Sequence, residues 1–260
     1  MDPLREVLEK KKRKLFVPYL TFGYPDVSSF CTLLRICEEE GADAVEVGIP
    51  HSDPVADGPV IQTTSFAALK QGVTPLRVVE VMAGIRLSIP LIAMTYGNIV
   101  LQYGVGKFAR DFREIGFRGL IVADFPLEAR DFLKEAQGLL SRILLASVTS
   151  PLERVRRIAE ASEGFVYLVS GKGVTGKTEV DFSALRERVA CIRSHTSALV
   201  LPGFGIHDPY QAATLAEYTD GVIVGSALLE YIIRNKDTET WMEGFAALVR
   251  SYRRALDGVA

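Results

Sequence analysis

Short apolar runs alternate with amphipathic ones along the whole chain. Residues 14–20 read as a first strand. Residues 26–40 read as a helix, with Asp26 as N-cap, Val27, Phe30, Cys31 and Leu34 on one face, and Gly41 as a stop. Strands follow at 43–49, 89–94, 119–123, 143–147, 164–169, 198–201 and 221–224. Between them lie helical patterns near 61–70, from Thr74-Pro75 with a stripe of Leu76, Val79, Met82 and Ile85, at 104–115 and at 127–138. Others follow from a Ser150–Glu153 capping box with Leu152, Val155 and Ile158 inward, at 182–193, from Asp208-Pro209, and near 226–232 and 238–255. That makes eight strand-then-helix units. Several strands are unbroken apolar runs, as expected of strands covered on both faces. With 260 residues, the count favours one single-domain α/β barrel, a (β/α)8 TIM barrel over residues 1–260, rather than an open doubly wound sheet.

Composition narrows the function classes. The chain is 48% hydrophobic with a net charge of −2, and its mean hydropathy is +0.18. That argues for a large core and against a disordered chain or a strongly basic nucleic-acid binder. Cys31, Cys37 and Cys191 form neither a disulfide framework nor a metal-ligand spacing. No apolar run reaches the length of a membrane helix, and charges stand where a signal peptide would be apolar. A soluble, cytoplasmic protein is expected.

In this fold, polar residues just past each strand carry the chemistry. Gly203-Phe204-Gly205 follows the seventh strand, and Gly225-Ser226 follows the eighth and opens a helix. Two such turns on adjacent late strands suit a phosphate, bound by glycine amides and a helix N-terminus. Gly173-Val-Thr-Gly176, after the sixth strand, adds further amides. No Walker lysine is present, so a nucleoside triphosphate is not expected.

Glu46 lies between Val45 and Val47. If Ala44 faces the barrel interior, so do Glu46 and Gly48. A carboxyl there is either part of a structural ion pair or a functional group with a raised pKa. Asp53 and Asp57 sit in a stiff, proline-rich loop. Asp124, past the fourth strand, is a third candidate or a cap on the turn at Phe125-Pro126. His51 is an acid/base by type alone. Apart from Lys14, at the very start of the first strand and away from the C-terminal strand ends, no strand carries a lysine for a Schiff base, and no metal site is apparent.

The run from Glu46 to Gln62, EVGIPHSDPVADGPVIQ, resembles the signature of the tryptophan synthase alpha subunit family. Val17–Pro25, Thr95–Asn98, Ala123–Pro126, Gly173–Gly176, Gly203–Ile206 and Gly225–Ala227 resemble that family's other motifs, in its order. The resemblance implies a (β/α)8 barrel that cleaves indole-3-glycerol phosphate into indole and glyceraldehyde 3-phosphate by a retro-aldol reaction. It implies no cofactor. Pyridoxal phosphate would belong to a beta subunit, joined in an αββα complex. By motif position Glu46 is the acid/base and Asp57 the second catalytic carboxylate. Tyr19 and Met94 would line the indole pocket, with Tyr167 near Glu46. Thr175 would order the sixth loop against Asp57. Gly176, Phe204, Gly205, Gly225 and Ser226 would serve the substrate, and Pro50 and Asp53 the partner. The chain departs from the family pattern at Ser170-Gly171-Lys172, where Ser-Arg is usual, and at His51, where Phe or Tyr is common. A stand-alone indole-releasing enzyme, a weak catalyst that activates a beta subunit, and another phosphate-binding barrel are the competing readings.

Overall fold

The computed structural model describes residues 2–169, 182–203 and 205–259. A short helix α1 (Arg5–Leu8) precedes β1 (Leu15–Thr21). The chain then runs through α2 (Val27–Glu39), β2 (Val45–Gly48), α3 (Pro59–Lys70), α4 (Pro75–Met82), β3 (Leu91–Thr95), α5 (Gly97–Tyr103), α6 (Val105–Glu114) and β4 (Phe117–Val122). A 3₁₀ helix (Leu127–Ala136) leads to β5 (Ser141–Ser147), α7 (Leu152–Ala161), β6 (Phe165–Val169), α8 (Phe182–His195), β7 (Leu199–Gly203), α9 (Pro209–Ala216), β8 (Gly221–Val224), α10 (Ser226–Asn235) and α11 (Trp241–Asp257). The eight strands form one parallel sheet in the order β7-β6-β5-β4-β3-β2-β1-β8. Asp220 draws its ends together. Its N–H donates to the Val200 carbonyl at 3.0 Å, and its carboxylate accepts the Val200 N–H at 2.8 Å. The expected TIM barrel is therefore present.

Local chemistry explains most boundaries. The Asp26 side chain accepts the Ser29 N–H and caps α2. Gly41 ends that helix at φ +93°, a left-handed conformation that glycine adopts without strain. Thr74 and Asp208 cap α4 and α9, each with a proline in the first turn.

Other elements differ from the sequence pattern. Where the pattern suggested an α-helix at 127–138, Leu127–Ala136 form a 3₁₀ helix. Its buried residues are Leu127, Leu133 and Ala136, spaced in multiples of three, which the 3.0-residue turn aligns. The capping box at Ser150 does not form. Pro151 is extended and α7 starts at Leu152, which is 40% exposed. On α4 the buried positions are Val78 and Met82, one turn apart, and Leu76 is 55% exposed. A separate helix, α5, precedes the one expected from 104.

The N-terminal end of the barrel is held by buried ion pairing. Asp43, just before β2, is fully buried. One of its oxygens accepts from Arg13 Nε and Nη2 at 3.0 and 2.8 Å. The other accepts the Phe16 N–H and Arg253 Nη1, both at 2.9 Å. Arg253 also donates to the Lys14 carbonyl and pairs with Asp257, which ties α11 to the bottom of β1. Leu4 is buried there too; a side chain at Gly119 would come within 2.9 Å of it. Removing one partner strands a buried charge. Asp43→Ala should therefore lower unfolding stability by about 3–5 kcal/mol in urea titrations, with KM for substrate unchanged.

Candidate active site

The site grows out of strand register. Tyr19 on β1 sits abreast of Glu46 on β2, and Gly48 abreast of Met94 on β3. A Cβ on Gly48 would stand 2.0 Å from the Tyr19 hydroxyl oxygen. Gly48 is thus the space into which Tyr19 reaches. The same relation recurs across the barrel: a Cβ on Gly203 would meet the Tyr167 hydroxyl at 2.3 Å. Two tyrosines therefore lean over two glycines, and Glu46 lies between Val45 and Val47 on the interior face.

These residues open into one cavity at the C-terminal face. It holds about 400 Å³ of atom-free space, its mouth included. Tyr19, Glu46, Met94, Tyr167, Gly205, Gly225 and Ser226 line it together. Ile61, Ile206 and Ile223 complete the wall. The sequence reading missed those three. Ile223 is the one a strand argument could have found, by carrying the alternation along β8.

Glu46 is fully buried. Neither of its oxygens finds a hydrogen-bond partner among the described residues. Burial, with the nearby Asp57 charge adding to it, lifts its carboxyl to about 8. Asp57, 6% exposed, is lifted by burial to about 6, held back by a hydrogen bond from Tyr96 and by the charge of His51. At neutral pH Glu46 is therefore mostly protonated and Asp57 mostly ionised. Asp57 is not among the residues lining the cavity, but its charge reaches Glu46, and the two carboxyls are driven to opposite protonation states.

The remaining expected residues divide. Gly225 is the N-cap of α10 and provides no side-chain cap, so that helix presents free N–H groups to the cavity beside Ser226. Gly205 has φ +76°. Pro50 is buried, whereas Asp53 is exposed. Asp124 does not cap the Phe125-Pro126 turn. It accepts the Gly97 N–H at 2.8 Å and so caps α5. Thr175, Gly176 and Phe204, with the whole Gly171–Gly176 motif, lie outside the described residues. Among the described residues, no group of His, Cys, Asp and Glu could hold a metal ion, and no helix is long and apolar enough to cross a membrane.

Fold and cavity together define a class: a TIM barrel with a buried carboxyl of raised pKa in a cavity at the C-terminal face of its strands. Comparison with known proteins makes it specific. The family model for the tryptophan synthase alpha chain matches residues 6–256. Chains named tryptophan synthase alpha chain from Thermoanaerobacter sp. (strain X514) and Lactiplantibacillus plantarum are 36% and 40% identical. The first alignment covers 98% of this chain and 99% of its relative; the second covers 95% and 94%. The crystal structure of tryptophan synthase subunit alpha from Legionella pneumophila superposes with a TM-score of 0.89 at 32% identity over 100% of both chains. The aminoacrylate-bound tryptophan synthase from M. tuberculosis gives 0.86 at 34% identity, over 98% of this chain and 100% of that one. The chain belongs to the tryptophan synthase alpha chain family, lyases of tryptophan biosynthesis that cleave indole-3-glycerol phosphate.

The buried acid has a stability signature. Its raised pKa means that its contribution to folding is fully present below the unfolded value, near 4.5, and is lost as pH rises to about 8. Glutamine cannot ionise. Glu46→Gln should therefore match the parent near pH 4.5 and become more stable by about 2–4 kcal/mol above pH 8. Urea midpoints measured across pH check this.

Proposed function

We propose that Glu46 is the proton carrier of indole-3-glycerol phosphate cleavage and Asp57 the fixed carboxylate beneath the indole nitrogen. The split protonation of these two buried groups carries the reading. Protonated Glu46 gives its proton to indole C3, and the ring nitrogen becomes cationic. Ionised Asp57 accepts the nitrogen's N–H and stabilises that charge. The Glu46 carboxylate then takes the proton of the hydroxyl on the adjoining side-chain carbon. The bond from that carbon to C3 breaks, its electron pair returns to the ring, and the hydroxyl carbon becomes the aldehyde. Indole and glyceraldehyde 3-phosphate leave, and Glu46 ends protonated as it began.

Tyr19 and Met94 form the indole wall, with Tyr167 beside Glu46. The amides at Gly205, Gly225 and Ser226 receive the phosphate. Thr175, Gly176 and Phe204 complete the substrate contacts in this reading. The chain itself needs no cofactor. Its indole passes to a beta subunit carrying pyridoxal phosphate in a cytoplasmic αββα complex, which the Pro50–Asp53 segment meets.

Three measurements test the scheme. Glu46→Gln should lower kcat for indole release by at least the ~10²–10⁴-fold typical of a general acid–base group, and Asp57→Asn should be severely impaired; near-parental turnover in Glu46→Gln defeats the mechanism. The kcat/KM profile should be bell-shaped. It should fall below about 6 as Asp57 gains a proton and above about 8 as Glu46 loses one. Ser226→Asp should raise KM about tenfold or more by setting a carboxylate against the phosphate, a cleaner probe than Gly205→Val, which would strain a left-handed turn.

A further inference from the structure

We infer that His51 and Tyr96 form a clasp that sets the 50–57 loop, and through it the Asp57 carboxyl, in its working position. This makes His51 a positioning residue for indole release. The inference rests on Asp57 being the carboxylate beneath the indole nitrogen.

Tyr96 stands immediately after β3. Its ring stacks on the His51 imidazole with centroids 4.9 Å apart and planes 27° from parallel. Its hydroxyl accepts the Ala56 N–H at 3.2 Å. One rigid side chain therefore grips the loop near its start and again one residue before Asp57. Tyr96 is itself a fixed post. It is 4% exposed and is the N-cap residue of α5, whose Gly97 N–H is held by Asp124.

The loop's other described ties are short-range. Val55 N–H donates to the Asp53 carbonyl and Asp57 N–H to the Pro54 carbonyl, each at 3.0 Å. Asp53 N–H donates to His51 Nδ1 at 3.0 Å. This contact helps fix the orientation of the imidazole ring. The side chains of Ser52, Asp53 and Val55 are exposed. From α3, Gln62 Nε2 donates to the Asp57 carbonyl at 2.7 Å and holds that end of the loop; the clasp is what ties the stretch from His51 to Ala56 to the barrel.

The charges around the clasp point the same way. Asp57 faces Tyr96 and His51, Glu46 on β2, Tyr19 on β1 and Tyr167 on β6. Tyr96 also faces Asp124 from the end of β4. Of these groups, His51 alone can bear a positive charge, and it helps keep Asp57 ionised.

The test is steady-state indole release from indole-3-glycerol phosphate by the full chain between pH 5 and 9.5. Loss of a stack that orders a loop reduces the competent fraction. His51→Ala should lower kcat about three- to tenfold with KM changed less than twofold, and move the acidic limb upward from about 6. His51→Phe restores a ring for Tyr96 but no charge. It should return kcat to within twofold of the parent while the acidic limb stays raised. Parental kcat and acidic limb in His51→Ala overturn the inference, as does a kcat loss that phenylalanine does not rescue. Asp57→Asn separates the two levels. If it is inactive while His51→Ala is parental, only the clasp fails; if it is active, the role of Asp57 fails as well.

Discussion

A carboxyl group in the wall of a closed barrel has two stable forms: ionised with every oxygen paired, or uncharged. The second strand and its approach contain both, three residues apart. Asp43 is wrapped by Arg13, Arg253 and a backbone N–H. Glu46 has no hydrogen-bond partner among the described residues. Asp43 lies at the N-terminal end of the barrel, where its pairing locks β1, β2 and α11 together. Glu46 lies toward the other end, where an unsatisfied acid holds a transferable proton at neutral pH. The chemistry proposed for the site depends on that difference in pairing, since a salt-bridged Glu46 would stay ionised and have no proton to give.

The cavity is shaped by the same economy of space. Tyr19 and Tyr167 extend toward the barrel axis because Gly48 and Gly203 leave room for their hydroxyls. A methyl group at either glycine would displace a ring. These rings, with Met94 and three isoleucines, keep the surroundings of Glu46 apolar, and burial is the main cause of its raised pKa. The polar end of the cavity is narrower in origin. It comes from one helix, α10, that starts at a glycine and so leaves its first N–H groups uncapped.

Much of this was legible in the residues. Strands buried on both faces must be apolar throughout, so their order could be read directly. A carboxylate among valines is conspicuous for the same reason. What could not be read depends on geometry between distant segments. Leu127, Leu133 and Ala136 recur in multiples of three, which a 3₁₀ turn aligns and an α-helix would spread around its surface; a helical pattern alone did not separate the two. Asp124 looked like a local cap, yet it serves a helix 27 residues earlier. His51 showed no partner in the sequence because its partner, Tyr96, arrives from the next strand.

The two protonation states also constrain one another. Ionising Asp57 raises the cost of ionising Glu46, since the Asp57 charge is among the causes of the higher Glu46 pKa. Whatever keeps Asp57 charged therefore helps keep Glu46 neutral. Tyr96 and His51 both act on Asp57 in that direction, although neither lines the cavity. The loop between β2 and α3 is thus part of the acid's environment as well as the carrier of the second carboxylate. The proposed cleavage, which begins and ends with Glu46 protonated, needs this arrangement at both moments. At the first, the proton must be available to the ring; at the last, the carboxylate must be basic enough to take the hydroxyl proton back. A pKa near 8 suits both tasks at neutral pH, where a solvent-exposed glutamate would manage neither well.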